Sequence, residues 1–176
     1  MTIDPVYLIG DRVCLREMTE ADALNIVAWR NDPEIRKWMF NQDVLTLESH
    51  LRWFRRSKSD RVDYVICERE NHQPIGTVNY TNIGKNEGEA GKMLGDKTYW
   101  GRGFAKEAFL LWLRIGFTVF GFKRIYIRTI ADNAANIILN QKIGFEISGE
   151  TKMEIDGNLT VNVLTMELSR ENFHER

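Results

Sequence analysis

The chain has 176 residues, of which 43% are hydrophobic and 28% are charged, and its 24 basic residues nearly balance 25 acidic ones. This size and composition predict one globular domain over residues 1–176, with a core that needs no metal or disulfide to hold it. The balanced charge argues against nucleic acid as a partner, because nucleic-acid-binding proteins usually carry an excess of basic residues.

The N-terminal third is predicted to hold one strand and two or three helices. Residues 13–18 alternate as a strand does, and Thr19 precedes a helical stretch that Pro33 interrupts. Because proline is favoured at the first position of a helix, we expect Pro33 to open a second, short helix. Thr46 is the expected cap of a third helix.

From residue 62 onwards the pattern changes to strands, with two helices between them. The predicted elements are strands at 64–67, 75–78 and 89–94, a helix from Gly103 that ends at Gly121, a strand at 123–130, a helix at 133–143, and strands at 145–155 and 159–168. Asp156 and Gly157 predict a hairpin turn between the last two strands. This order is typical of a mixed α/β (α+β) domain, with about seven strands in one central sheet flanked by helices.

Cysteine usage and hydropathy limit the class of protein further. Cys14 and Cys67 lie far apart, with no CxxC pair, so we expect buried free thiols and neither a metal site nor a disulfide framework. Residues 1–5 lack the features of a secretory signal, and no apolar run approaches the roughly 20 residues needed to cross a bilayer. The expectation is a cytoplasmic protein with no membrane partner.

The segment 94–108, where a predicted strand leads into an amphipathic helix, holds the most informative motif. Its turn contains Gly101 and Gly103, with Arg102 and Lys106 beside them. The first amides of a helix lack internal partners, the helix dipole is positive at that end, and glycine lets an anion approach closely. The turn therefore indicates a phosphate site, although its spacing is that of neither a P-loop nor a dinucleotide fingerprint. An ordinary strand-to-helix turn is the alternative.

A second segment, 133–145, strengthens the first. It runs from Asn-x-x-Asn to Lys-x-Gly-Phe, and together with Tyr-Trp-Gly-Arg-Gly-Phe-Ala-Lys-Glu-Ala at 99–108 it resembles the GCN5-related N-acetyltransferase (GNAT) superfamily. The first motif is most similar to the ribosomal-protein-acetyltransferase-like branch. The resemblance covers residues 11–168 and implies a single GNAT-like domain with a mixed, mostly antiparallel sheet.

The resemblance also implies acetyl-CoA as the acetyl donor. The residues implied to contact it are Met93, Leu94 and Gly95 along the thioester and pantetheine, Gly101, Arg102, Gly103, Phe104, Ala105 and Lys106 around the pyrophosphate, Asn133 and Asn136 along the pantetheine arm, and Lys142 at its outer edge.

Two positions depart from the family pattern. Thr98 stands where the family has glutamine or arginine, which leaves the backbone amides unaffected. Asn140 stands where many members have a tyrosine that is assigned to protonate the leaving thiolate. Asparagine is a poor proton donor, but Asn140 could hydrogen-bond the sulfur.

An amine attacks a thioester only when it is neutral, so the site needs a proton acceptor and a donor for the developing oxyanion. Glu89, at the start of the strand beside the expected thioester, is our first candidate for the base. A solvated carboxylate at a strand end is an equally good interpretation. Asn79 and Tyr80 on the neighbouring strand could orient a water, and an amide near Met93 is the expected oxyanion donor.

The acceptor is expected to lie against the N-terminal helices. Their pattern, with Arg-Asn-x-Pro at 30–33, Trp-Met at 38–39 and His-Leu at 50–51, resembles the branch that acetylates a nucleotide-linked 4-amino sugar on the route to pseudaminic acid. Aromatic rings suit a deoxy sugar or uracil, and arginine suits a diphosphate. The candidate substrate-binding residues are Arg30, Asn31, Trp38, Met39, His50 and Tyr80.

Several alternatives to this acceptor stay open. The tryptophans could be core residues, the acceptor could be a protein N-terminus or a polyamine, and Asn140 leaves room for a non-catalytic acetyl-CoA-binding module. The last hairpin could support a homodimer.

Overall fold

In the computed structural model of the protein, residues 8–56, 60–155, 157 and 159–174 are described. The strands of this part are β1 (Leu8–Ile9), β2 (Val13–Glu17), β3 (Val62–Glu68), β4 (Pro74–Thr81), β5 (Glu87–Leu94), β6 (Arg124–Ile130), β7 (Glu146–Ile155) and β8 (Leu159–Ser169). The helices are α1 (Ala23–Asn31), α2 (Pro33–Arg36), α3 (Leu47–Phe54), α4 (Phe104–Thr118) and α5 (Ala134–Ile143), with 3-10 turns at Glu20–Asp22, Lys97–Tyr99 and Arg170–Asn172. Residues 1–5, where we predict no secretory signal, and Asp156 of the predicted hairpin turn lie outside the described residues.

The strands form one sheet in the order β1-β2-β3-β4-β5-β6-β8-β7. Every neighbouring pair is antiparallel except β5 and β6, which are parallel and paired only from Glu87 opposite Arg124 to Glu89 opposite Tyr126. Beyond these residues β5 continues to Leu94 and β6 to Ile130 without pairing with each other, so the two strands diverge. The predicted mixed, mostly antiparallel sheet is confirmed. The strand that the sequence did not reveal is β1, which is too short to show alternation.

Helix α4 covers one face of the sheet and contributes more buried residues to the main apolar cluster than any other element. Its Phe109 and Trp112 are fully buried, and each such side chain contributes about 1.5–3 kcal/mol through apolar burial. The helix lies so close to β4 that a Cβ at Gly116 would be 2.2 Å from the Tyr80 hydroxyl oxygen. Any larger residue at Gly116 would therefore push α4 away from the sheet.

The N-terminal helices cover the opposite face, where Cys14, Met18 and Ile26 form a second apolar cluster. Thr46 caps α3 by accepting from the Ser49 amide, as predicted. Among the described residues, every helix is too short or too polar to span a membrane.

The two cysteines are free and buried, which confirms the prediction for their thiols. Although distant in sequence, Cys14 and Cys67 lie directly opposite each other on β2 and β3. Long-range strand pairing decides this proximity, and sequence spacing cannot show it.

Candidate active site

A cleft of about 600 Å³ lies where β5 and β6 diverge, and residues from both faces of the sheet line it. We call the part lined by Ala105, Asn136 and Leu139 the α4/α5 side. The part lined by Arg30 and Trp38 is the α1/α2 side. Because the gap in the sheet joins them, a group bound on one side can react with a group bound on the other.

The N-terminus of α4 flanks the α4/α5 side. Gly101 and Gly103 have φ values of +70° and +84°, a region that glycine occupies without steric cost. For the amides of residues 102–106 the described part of the chain supplies no hydrogen-bond acceptor. Nothing lies within 4 Å of a Cβ built on Gly101, so an anion has room to approach. We call this predicted phosphate site, residues 101–106, the cradle.

Arg12, which the sequence did not reveal as part of this region, adds positive charge to the cradle. Its guanidinium lies 4.6 Å from the centre of the Phe104 ring and donates to the Arg102 carbonyl oxygen (2.8 Å). A salt bridge to Glu107 (3.0 Å) holds it in place across 95 residues of sequence. Phe104 itself is buried, so only its backbone is available to a ligand.

The strand residues predicted to follow the pantetheine differ in their exposure to the cleft. Met93 and Leu94 line it, and the Leu94 carbonyl oxygen accepts from Trp100 Nε1 (2.8 Å). The Gly95 amide already donates to Ile75 (2.9 Å), and a Cβ at Gly95 would overlap the Trp29 ring at 2.1 Å. The Gly95 amide is therefore not free to bind the pantetheine, because strand β4 and Trp29 occupy its surroundings.

The predicted residues of α5 also differ in whether they line the cleft. Asn133 caps the helix by accepting from the Asn136 amide (3.2 Å), and Asn136 donates to Thr129 Oγ1 (3.0 Å). Both asparagines also line the cleft. Lys142 lies exposed in the last turn of α5 and is not part of the cleft wall.

Glu89 lies where the gap between β5 and β6 begins, because it is the last residue of β5 that pairs with β6. Its side chain is only 11% exposed and accepts from Arg128 Nε (2.9 Å), Arg128 Nη2 (3.1 Å) and Asn82 Nδ2 (2.8 Å). It is therefore an ordered carboxylate inside the cleft, which contradicts a freely solvated strand end. Asn79 also lines the cleft, and its amide is best satisfied by donating to the Gly91 carbonyl (3.2 Å) while accepting from Arg61 (3.0 Å).

Lys92 is the cleft residue that our sequence reasoning missed. It is half-buried, its Nζ donates to Asn140 Oδ1 (2.6 Å), and it lies 4.0 Å from the centre of the Phe109 ring. Burial lowers the pKa of Lys92 from 10.5 to about 7. A lone lysine between the small residues Ala90 and Gly91 and the apolar residues Met93 and Leu94 was the available signal.

Asn140 itself does not reach the cleft. Its side chain is fully buried behind Lys92, and its Nδ2 has no hydrogen-bond partner. Asn140 is therefore not part of the cleft wall, because Lys92 lies in front of it.

Three of the predicted substrate residues lie away from the cleft. Tyr80 is fully buried in the core and donates to the Trp112 carbonyl oxygen (3.1 Å). His50 is buried on α3 with its ring 5.3 Å from that of Trp53. Asn31 exchanges two hydrogen bonds of 2.8 Å with the Leu45 backbone. Tyr80, His50 and Asn31 thus do not line the cleft, since each side chain is committed to packing or to a loop.

The other three, Arg30, Trp38 and Met39, line the α1/α2 side. Arg30 Nη2 donates to the Asn41 carbonyl oxygen (3.1 Å), but its Nε is buried and has no hydrogen-bond partner. Burial, followed by the positive charge of Arg61, lowers the pKa of Arg30.

Carboxylates on the α1/α2 side are already paired. Arg61 forms an ion pair with Asp63 (2.6 Å), as Arg128 does with Glu89 and Lys97 with Glu34 (2.7 Å). Within the described residues Arg30 forms no ion pair. Its half-buried guanidinium therefore offers an uncompensated positive charge to a bound molecule.

Comparison with known proteins identifies the family to which the chain is similar. The model of the acetyltransferase (GNAT) domain matches residues 12–146. The uncharacterized N-acetyltransferase p20 of Bacillus licheniformis is 30% identical over 150 residues, covering 81% of this chain and 83% of that protein. MJ1062 of Methanocaldococcus jannaschii is 29% identical over 141 residues, which make up 77% of this chain and 28% of that longer relative.

Among solved structures, the spermidine N-acetyltransferase from Vibrio cholerae in complex with CoA and spermine superimposes with a TM-score of 0.84. The match covers 93% of this chain and 98% of that one at 18% sequence identity. At this identity the likeness shows a shared fold.

Proposed function

The chain belongs to the acetyltransferase (GNAT) family and is an N-acetyltransferase, and on that premise we propose that it acetylates an amine whose molecule also carries an anionic group. The donor is acetyl-CoA, and the acceptor we propose is a nucleotide-linked 4-amino sugar. The observation that carries this acceptor is the half-buried guanidinium of Arg30, whose Nε has no hydrogen-bond partner and which has no ion pair among the described residues.

The α4/α5 side fits acetyl-CoA. Free amides at the start of α4, the open space at Gly101 and the guanidinium of Arg12 suit a diphosphate. From there, Asn133 and Asn136 lead along the cleft to the diverging part of β5. When bound, acetyl-CoA supplies an activated acetyl group that needs no covalent attachment to the protein.

The α1/α2 side fits an acceptor with an apolar ring face and a negative charge. Ile26, Ile35 and Trp38 supply apolar and aromatic surface, and Arg30 supplies the unpaired cation. A diphosphate binds guanidinium strongly because charge-assisted hydrogen bonds can form in a forked geometry. A polyamine would instead place further positive charge beside Arg30.

Glu89 is the carboxylate we propose for accepting the amine proton. It stands at the junction of the two sides, where the attacking nitrogen has to meet the acetyl group. Since Arg128 and Asn82 already occupy much of its hydrogen-bonding capacity, transfer through a water is the route that disturbs these contacts least. The Met93 amide remains our proposal for the oxyanion donor.

The test is an assay of thiol release from acetyl-CoA with a UDP-4-amino sugar, an alanine-terminated peptide and spermidine. We expect turnover with the nucleotide sugar, and Arg30→Ala should raise its KM about 10–100-fold while the Kd of CoA stays constant. Arg52→Ala is the matched control, because Arg52 is exposed on α3 and, among the described residues, pairs with Glu48 of its own helix.

The other outcomes discriminate among the alternatives. Turnover with spermidine or the peptide alone would replace the proposed acceptor. Binding of CoA without turnover on any amine would indicate a non-catalytic module. A chain that binds no CoA would overturn the proposed donor.

A further inference from the structure

We propose that Lys92, held by Asn140, donates the proton that converts the leaving CoA thiolate to a thiol. This inference rests on the proposed acetyl transfer and assigns a residue to its second half, the departure of the sulfur.

The position of Lys92 suits this role. It lies three residues beyond Glu89 on β5, and successive side chains of a strand point to opposite faces. Glu89 pairs with Arg128, which lies over Phe40 on the α1/α2 side, whereas Lys92 contacts Phe109 and Asn140 on the α4/α5 side. The two ionisable groups therefore stand on opposite sides of the gap, as separate proton acceptor and donor would.

Among the described residues, no charged group adds to the effect of burial on Lys92. Phe109 of α4 and Asn140 of α5 contact it, Val78 of β4 is its cross-strand partner, and the uncharged residues Ala105, Asn136, Leu139 and Thr129 line the same cleft. No ion pair stabilises the ammonium among the described residues, and burial alone lowers its pKa to about 7. Lys92 can therefore carry a proton at neutral pH and also release it.

The energetics of the transfer are favourable. An ordinary thiol has a pKa of about 8.5, so an ammonium with a pKa of about 7 is the stronger acid. Transfer to a thiolate is downhill, and general acids are most effective when their pKa lies near the working pH.

The step balances without any further reactant. The amine nitrogen forms a bond to the acetyl carbon and loses one proton towards Glu89. The carbon–sulfur bond breaks, the sulfur keeps the electron pair, and Lys92 gives it a proton. Lys92 becomes neutral and regains a proton from water, and Glu89 returns its proton to water.

Asn140 acts in this proposal as a positioning residue. Its Oδ1 accepts from Lys92 Nζ, while the rest of its side chain is fully buried, so it fixes the ammonium at the cleft wall without touching a ligand. An amide oxygen favours the protonated amine over the neutral one, because only the first offers it a charge-assisted hydrogen bond. Asn140 thus keeps Lys92 protonated more often than burial alone would.

The experiment measures the thiol of CoA bound to the full chain, independently of turnover. The pH dependence of its alkylation by iodoacetamide, followed by mass spectrometry of the coenzyme, gives the pKa of the bound thiol. Alkylation rates measured up to about pH 7, where Lys92 is still an ammonium, should give a thiol pKa about one unit or more below that of free CoA. In Lys92→Met it should return to the free value, while CoA still binds.

Turnover supplies the second readout. In the wild type kcat should fall as the pH rises through about 7, because Lys92 then loses the proton it must donate. Lys92→Met should lower kcat about 10²–10³-fold and remove this alkaline limb. Lys92→Arg keeps a charge but cannot release a proton, so it should preserve the low thiol pKa without restoring kcat. Asn140→Leu should shift the alkaline limb to lower pH.

Lys152→Met serves as the control, because Lys152 is exposed on β7 and outside the cleft wall. A Lys92→Met variant that binds CoA but keeps both the thiol pKa and the alkaline limb would overturn the role of Lys92. Failure of the wild type to bind CoA would overturn the proposed donor instead, so the two results are distinguishable.

Discussion

The two sides of the cleft are built by different means. The α4/α5 side presents backbone amides at a glycine turn, whereas the α1/α2 side presents side chains brought together from α1, α2, β3, β4 and β6. Backbone recognition depends on local conformation and leaves a motif in the sequence. Recognition by side chains depends on long-range packing, so in one family the donor end can stay constant while the acceptor end varies.

The cleft wall on each side also contains one cation without an ion pair among the described residues. Arg30 and Lys92 are both partly desolvated, but arginine stays charged and suits anion binding, whereas lysine at a pKa near 7 suits proton transfer. We infer from this difference that the α1/α2 side recognises charge and that the α4/α5 side moves a proton. The following variants test it.

The largest effect is expected at the junction of the two sides. Glu89→Gln removes the proposed proton acceptor but keeps a side chain of the same shape. We expect kcat to fall about 10²–10⁴-fold with little change in the Kd of CoA. Steady-state kinetics with the acceptor and calorimetry with CoA measure the two quantities. A kcat within threefold of the wild type would exclude Glu89 as the base.

A bulky residue in the cradle should weaken only the binding of CoA on the α4/α5 side. Gly103→Trp places a large side chain at a φ of +84°, where even a Cβ would lie 3.0 Å from Arg12. The Kd of CoA should rise about 100-fold, equivalent to about 2.7 kcal/mol. Gly121→Trp is the control, since Gly121 has a φ of +72°, with no atom within 4 Å of its Cβ position. Equal CoA affinity in the two variants would argue against the cradle.

Burial of Lys92 should lower the free energy of unfolding by an amount that depends on pH. Because its pKa falls from 10.5 to about 7 on folding, the folded protein must release a proton between these values. The cost is greatest at and below pH 7 and vanishes above pH 10.5. We expect Lys92→Met to raise the free energy of unfolding at pH 7 by about 2 kcal/mol, discounted for partial solvent exposure, and to lose this advantage as the pH rises. Urea denaturation at pH 7 and pH 10 checks the sign.

The smallest effect is expected at Asn31, which ties Leu45 to α1 beside the acceptor side. Asn31→Ala removes both hydrogen bonds and should lower the free energy of unfolding by about 1–2 kcal/mol. Thermal denaturation measures this loss of stability. Kinetics should show a higher KM for the acceptor, and calorimetry should show an unchanged Kd for CoA. A changed CoA affinity would show that the two sides are not independent.

Much of the architecture could be predicted from the sequence alone. Apolar periodicity located α4, the strand alternation located β3 to β8, and glycines marked the turns, because these signals arise within a few residues of one another. For the same reason the glycine turn that leads into α4 could be interpreted as an anion site from its own residues.

Only the tertiary structure decided which side chains face the cleft. Alternation in a strand separates two faces but does not say which face a ligand will use when both are covered, so Tyr80 was placed in the site and Lys92 was overlooked. Asn140 matched a family position, yet its side chain lies behind Lys92 from a strand 48 residues away. Local pattern determines backbone conformation, whereas burial and charge pairing depend on residues that meet only in the folded chain.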